Sequence, residues 1–264
     1  MSEELADDLK NGVQKDYAKM LRNLKYAVAQ LYEDYGSQGK LNWDELQKYN
    51  RLSKFNKEIN GIVKDDMKPA WKRIKGGLQD NIETTWDKSM GAMASEVSVP
   101  LERNLTADEI QEILQKPVSG WTWDERVALR QNDLGVRLGG EVRASFFRSD
   151  TYQDAAKRVK DMTERDYIKT ARMIDNDIHQ MGQDTILYSQ EEAQDKGVFV
   201  TKTWVTAGDD RVREDHAAMD GVTVDADEDF VLPNGERAPA PGMFGDPAED
   251  YNCRCWIISN VEER

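Results

Sequence analysis

The sequence predicts an α+β protein, with a mostly helical N-terminal body and a small C-terminal α+β module. Three observations predict it. Up to residue 196 the apolar residues recur every three or four positions, the period of a helix with one buried face. From Gly197 the texture turns β-branched and alternating, the period of a strand. Gly, Pro and Asn then separate short runs, as tight turns demand. The body is expected over 1–197, as a bundle over 1–95 and further helices over 106–196, with no strand before residue 95; the module is expected over 198–264.

Leu5, Leu9, Val13, Tyr17, Leu21, Leu24, Val28 and Leu31 trace one face of a first helix. "YGSQGK" breaks it with Gly36 and Gly39. Asn42 and Glu45 have the spacing of a capping box for a second helix, whose stripe is Leu46, Tyr49, Leu52, Phe55, Ile59 and Ile62. Pro69 suits the first turn of a third, where its missing N–H has no partner to lose. Trp71, Ile74, Leu78, Ile82 and Trp86 follow on one face. An antiparallel bundle buries three such stripes. Thr106 with Glu109, and Thr122 with Glu125, are further capping boxes. Pro117 ends the first of these helices and Gly139–Gly140 interrupt the second. A long helix covers 164–197 and stops at Gly197. His179 falls in its polar stretch and is expected to be exposed.

In the module, "VFVTKTWVTA" reads as a strand and "DDRVREDHAAM" as a short helix capped by Asp209 or Asp210. "GVTV" is strand-like, Asn234–Gly235 form a tight turn, and "CRCWIISNV" is a closing strand. On that strand Cys253 and Cys255 share a face, about 6.8 Å apart.

Composition narrows the function. A chain of 264 residues that is 39% hydrophobic, with seven Trp, can build a core. Its apolar runs are too short to span a bilayer, so no membrane role is expected. Residues 1–30 carry charges throughout and contain no secretory apolar stretch, which points to synthesis in a cytoplasm where thiols stay reduced. The net charge is −14, and the last 64 residues hold 15 acidic against 6 basic side chains. Such a tail argues against wrapping nucleic acid. Lys68, Lys72, Arg73 and Lys75 could form a basic stripe for DNA, and an exposed helix face explains them equally well.

The two cysteines carry the sharpest question. A disulfide between such close neighbours is strained, and a reducing compartment disfavours it. Two readings remain. The thiols are small buried hydrophobes beside a hydrogen-bonded His216, or they are two corners of a metal site. An enzyme can also be drawn, a metal-dependent nuclease or hydrolase using Asp209 and His216 with Asp210 and Asp215. No nucleophile sits in a known elbow and no Gly-rich phosphate loop exists, so an enzyme is not expected.

One ordered set of residues is more specific. Trp204, Asp209, Arg211, His216, Gly221, Pro233, Gly235, Asp246, Pro247, Asn252, Cys253, Arg254 and Cys255 follow one another in register. They form a Trp-bearing strand, an Asp-x-Arg-x-x-x-x-His turn, a Gly, an Asp-Pro loop and a closing Asn-Cys-Arg-Cys. This pattern resembles the C-terminal domain of the phage Mu F-like minor head proteins, also called the SPP1 gp7-type head morphogenesis proteins. Ala171 and Arg172 extend the resemblance weakly upstream, and the first 150 residues carry no motif that names a family. The resemblance implies a structural virion protein near the portal vertex, made in the host cytoplasm, in low copy or as an oligomer. It would contact portal and major capsid proteins, touch packaged DNA and leave with it. Many members carry what looks like a zinc knuckle. Carried over residue by residue, it would be His216, Asp250, Cys253 and Cys255 here, with Arg213 standing where a cysteine would be. The alternative is a packed knot in which Arg211 and Arg254 pair with Asp209, Asp210 or Asp250 above a hydrogen-bonded His216.

Overall fold

A computed structural model describes residues 2–41, 43–101, 103–118 and 120–262. Helix α1 (Ser2–Tyr35) buries Leu9, Val13, Tyr17, Leu24, Val28 and Leu31, at the expected period. The break after it is a hairpin and not an open loop. Gly36–Ser37 (β1) pairs with Lys40–Leu41 (β2), and Gly39, at φ 74°, makes the turn, so a short strand pair does precede residue 95. Asn42, expected as a helix cap, lies outside the described residues. Helix α2 (Trp43–Gln47) and a single 3-10 turn lead into α3 (Arg51–Ala94).

Two expectations fail along this stretch. Tyr49 leaves the buried stripe: its backbone is left-handed (φ 55°) and its side chain is 79% exposed. Pro69 starts no helix, because it lies inside α3. Phe55, Ile59, Val63, Met67, Ala70, Ile74, Leu78, Ile82 and Trp86 stay in phase across it, and all are buried. Burying that unbroken stripe outweighs the cost of an interior proline, about 3 kcal/mol.

Both expected capping boxes form, Thr106–Glu109 at α4 (Ala107–Gln115) and Thr122–Glu125 at α5 (Trp123–Phe147). Gly139 does not interrupt α5. A Cβ on Gly135 or Gly139 would lie 1.9 or 2.7 Å from the amide oxygen of Asn60 or Asn56 on α3, so these glycines let two helices approach closely. Helix α6 (Tyr152–Asp195) begins earlier than expected, where Thr151 and Asp154 cap it reciprocally. Gly197 (φ 84°) follows it, and the Val198 amide donates back to the Ala193 carbonyl at 3.1 Å.

The chain forms two compact units. One comprises residues 7–75 and 121–171, all from helices and their connections. Within it the Tyr17 hydroxyl donates to Asp166 (2.7 Å) and shares a hydrogen bond with Thr170. Arg130 donates to Thr170 and Arg137 to Asp166. Burial, with Asp166 adding to it, pushes the Tyr17 phenol far above its ordinary range.

The other unit comprises residues 1–6, 76–120 and 172–264. Strands β3 (Phe199–Val205), β4 (Thr223–Asp225) and β7 (Trp256–Glu262) form an antiparallel sheet in the order β4-β3-β7. β5 (Phe230–Val231) and β6 (Arg237–Ala238) form a hairpin around Asn234–Gly235. Alternation on β3 turns Val200, Lys202 and Trp204 inward. Val200 joins a cluster with Trp86, Met90 and Met93; Trp204 centres another with Phe230, Leu232 and Ile257.

Candidate functional site

The site is assembled by three short pieces of chain around Trp204. The first is the turn after β3. The Gly221 amide donates to the Trp204 carbonyl and the Trp204 amide to the Val222 carbonyl, each at 2.9 Å. Gly221 makes this return at φ 78°, which a side chain would resist. The turn carries α7 (Glu214–Ala217), with His216 fully buried on it. Arg213 is the residue before α7 and gives it no side-chain cap, so neither Asp209 nor Asp210 is the expected helix cap.

The second piece is α8 (Pro247–Asp250). Asp246 caps it, accepting from the Ala248 amide at 2.8 Å, and Pro247 fills the first helical position. The Asp-Pro loop of the sequence pattern is therefore a helix start. The third piece runs from Asn252, which is left-handed at φ 58°, to Cys255. Asn tolerates that backbone better than most side chains. Strand pairing begins only at Trp256, opposite Val205, so the cysteines precede the closing strand and do not lie on it. The turn at Asn252 nevertheless aims both sulfurs at one imidazole.

Cys253 Sγ lies 3.6 Å and Cys255 Sγ 3.7 Å from His216 Nδ1. The three donor atoms all fall within 4.8 Å of one another, and all three residues are buried. Zinc bonds of about 2.3 Å to sulfur and about 2.0–2.1 Å to nitrogen give a tetrahedral N···S edge of about 3.6 Å. Both N···S distances thus match the edges of a zinc tetrahedron, and one imidazole with two thiols suits zinc. Both cysteines are free thiols. Cys253 holds its proton strongly, because it donates to the Cys255 sulfur and because it is buried. Cys255 is pulled below the usual thiol range, chiefly by that bond. The indole N–H of Trp204 is buried without a hydrogen-bond acceptor.

Asp250 is not part of the trio. Its two carboxylate oxygens accept from the Phe244 and Gly245 amides, both at 2.8 Å, and hold the preceding loop. Burial, only partly offset by these bonds, pushes its carboxyl up. Asp209 is elsewhere too. Arg254 grips it with two hydrogen bonds and Arg211 adds two more. These bonds, led by Arg254, hold its carboxyl below the usual range. Arg211 and Arg254 thus meet on one carboxylate, and Asp209 is not among the metal donors grouped with His216. Of the basic stripe, Arg73 pairs with Asp16 and Lys75 with Asp124, while Lys68 and Lys72 are exposed.

Four residues of this site carried no signal in the sequence reading. Glu249 Oε2 sits 2.9 Å from His216 Nε2. His179, expected on an exposed face, is buried: its Nε2 donates to the Cys255 carbonyl at 2.7 Å. Gln183 donates to the same carbonyl and accepts from the Ile257 amide. Asn176 accepts from the Asn252 amide. Desolvation holds the His179 imidazole below its ordinary pKa. The polar stretch of α6 is polar because it serves backbone groups before and at the start of β7.

The family described as Phage Mu protein F like protein matches residues 138–258, which include every residue of this site. That segment is similar to the Mu F-like family. The NAD(+)--arginine ADP-ribosyltransferase EFV of Enterococcus faecalis is 29% identical over 166 residues, 63% of this chain. The chain spans 33% of that relative's length. Minor head protein GP7 of Bacillus phage SPP1 is 26% identical over 253 residues, 94% of this chain and 80% of its own. The likeness therefore reaches well into the first 150 residues, where no motif suggested it. No solved structure matches the chain. No helix among the described residues is long and apolar enough to cross a membrane.

Proposed function

We propose that this chain is a minor head protein of a phage that acts in head morphogenesis by assembly and has no turnover of its own. The likeness to the SPP1 minor head protein over 94% of the chain carries the reading. The Mu F-like segment supports it from a separate comparison. The protein is made in the host cytoplasm and resides in the virion, on the head near the portal vertex. Its helical body, 1–197, docks on portal or major capsid protein, its module, 198–264, is a compact plug or adaptor, and the protein leaves with the DNA. His216 and Trp204 are fully buried, so the module presents its best-organised chemistry to its own interior and not to a substrate. The transferase name of the Enterococcus relative describes a protein of which this chain covers 33%.

In the same reading, His216, Cys253 and Cys255 hold a structural zinc whose binding adds to the folding free energy of the module. The residues' own part is to exclude water and present one nitrogen and two sulfurs. Mass spectrometry of purified particles, with and without the gene, tests the assembly role. The protein should be present in few copies per particle, and its loss should reduce the yield of filled heads. Absence from particles, or an unchanged yield, would contradict it.

A further inference from the structure

We infer that Glu249 is the positioning residue that makes His216 a metal donor, by holding its hydrogen on Nε2 and leaving Nδ1 bare toward Cys253 and Cys255. The inference rests on the zinc reading above, and it concerns a residue outside that donor set.

A neutral imidazole carries its hydrogen on one nitrogen, and the partner of that nitrogen decides which. Three groups surround this ring closely enough to orient it. Trp204 meets it edge-on at 5.3 Å between centroids, and Phe244 lies at 6.0 Å. These rings fix its plane but cannot tell one nitrogen from the other. Glu249 can. A carboxylate only accepts, so the 2.9 Å contact places the hydrogen on Nε2. Nδ1 then faces the two sulfurs at 3.6 and 3.7 Å with its lone pair free.

The chain also prepares Glu249 for the task. The Asp246 cap and Pro247 start α8 at a fixed place and set Glu249 on its first turn. The neighbouring Asp250 is committed to the Phe244 and Gly245 amides and does not compete for the imidazole. Glu249 keeps 14% of its side chain exposed against 1% for His216, so the carboxylate closes the site from outside. A carboxylate behind a ligating imidazole raises its donor strength as well as fixing its tautomer.

Chelator competition for zinc and 15N NMR of the His216 ring, on the full chain, test this. Glu249→Ala should weaken zinc binding about ten- to a hundredfold. Glu249→Gln should lose less, since its amide oxygen still accepts from Nε2. Asp215→Asn removes an equal charge nearby and should leave affinity near wild type. In zinc-free wild type the ring should carry its hydrogen on Nε2, and Glu249→Ala should give a mixture of tautomers. Zinc affinity unchanged in Glu249→Ala, or hydrogen on Nδ1 in the zinc-free wild type, would overturn the inference. If the wild type binds no zinc, the zinc reading fails by itself, and the tautomer comparison still decides the role of Glu249.

Discussion

The helical unit over 7–75 and 121–171 and the C-terminal module both bury polar groups, and they do so for opposite reasons. In the helical unit most backbone groups are already paired within helices. Tyr17, Asp166, Thr170, Arg130 and Arg137 form a network of side chains alone, laid over a core that periodic apolar stripes would build without it. In the module the polar side chains complete the backbone. His179 and Gln183 satisfy the Cys255 carbonyl, Gln183 the Ile257 amide, and Asp250 two loop amides. Substitutions should therefore be tolerated in the first network and costly in the second.

The largest effect is expected at the centre of the module. Trp204 is fully buried against His216, Phe230 and Phe244. Trp204→Ala should cost about 3–5 kcal/mol by denaturant titration. A loss below about 1 kcal/mol would mean that the module has no tight core around this ring.

The contrast between the two networks is sharpest at Gln183. Gln183→Leu leaves the Ile257 amide unpaired and takes one of two donors from the Cys255 carbonyl, so it should cost about 1–3 kcal/mol. Tyr17→Phe removes one hydroxyl whose partners keep Arg130 and Arg137, and should cost about 0.5–1.5 kcal/mol. Equal losses at the two sites, measured in the same denaturant series, would erase the distinction.

A smaller effect is expected from pH at Glu109. Arg103 in the first place, with the Thr106 cap and Tyr188, holds its carboxyl at about 2 against an ordinary 4.5. Its folded pKa is depressed, so its contribution is fully present above 4.5 and is lost as pH falls toward about 2. Unfolding midpoints should drop across that window in wild type and less in Glu109→Gln. A parallel drop in both would remove Glu109 from the account.

The same contrast explains what could be read from the sequence. The helical stripes were legible because periodicity is a property of many residues at once. Pro69 misled because a local start signal was read where one helix, and its burial, continues through it. Gly139 misled because close helix approach and helix breaking use the same residue. In the module, Trp204, Gly221, Asn252 and Asp246–Pro247 were legible as members of an ordered pattern, but not the helix that Asp246–Pro247 start or the left-handed turn at Asn252. Glu249, His179 and Gln183 were not. Their partners lie 33 to 76 positions away, and only the fold brings them together. Asp250 looked like a ligand by its place in the order, but the loop amides had already claimed it.

The central claim is that the module is organised around His216, Cys253 and Cys255 as metal donors. Elemental analysis of the full chain, purified without a His-tag, followed by chelation and thermal unfolding, tests it most directly. The account predicts close to one zinc per chain and a marked loss of module stability when the metal is withdrawn. A chain that carries no zinc, and unfolds at the same temperature with or without chelator, would contradict it.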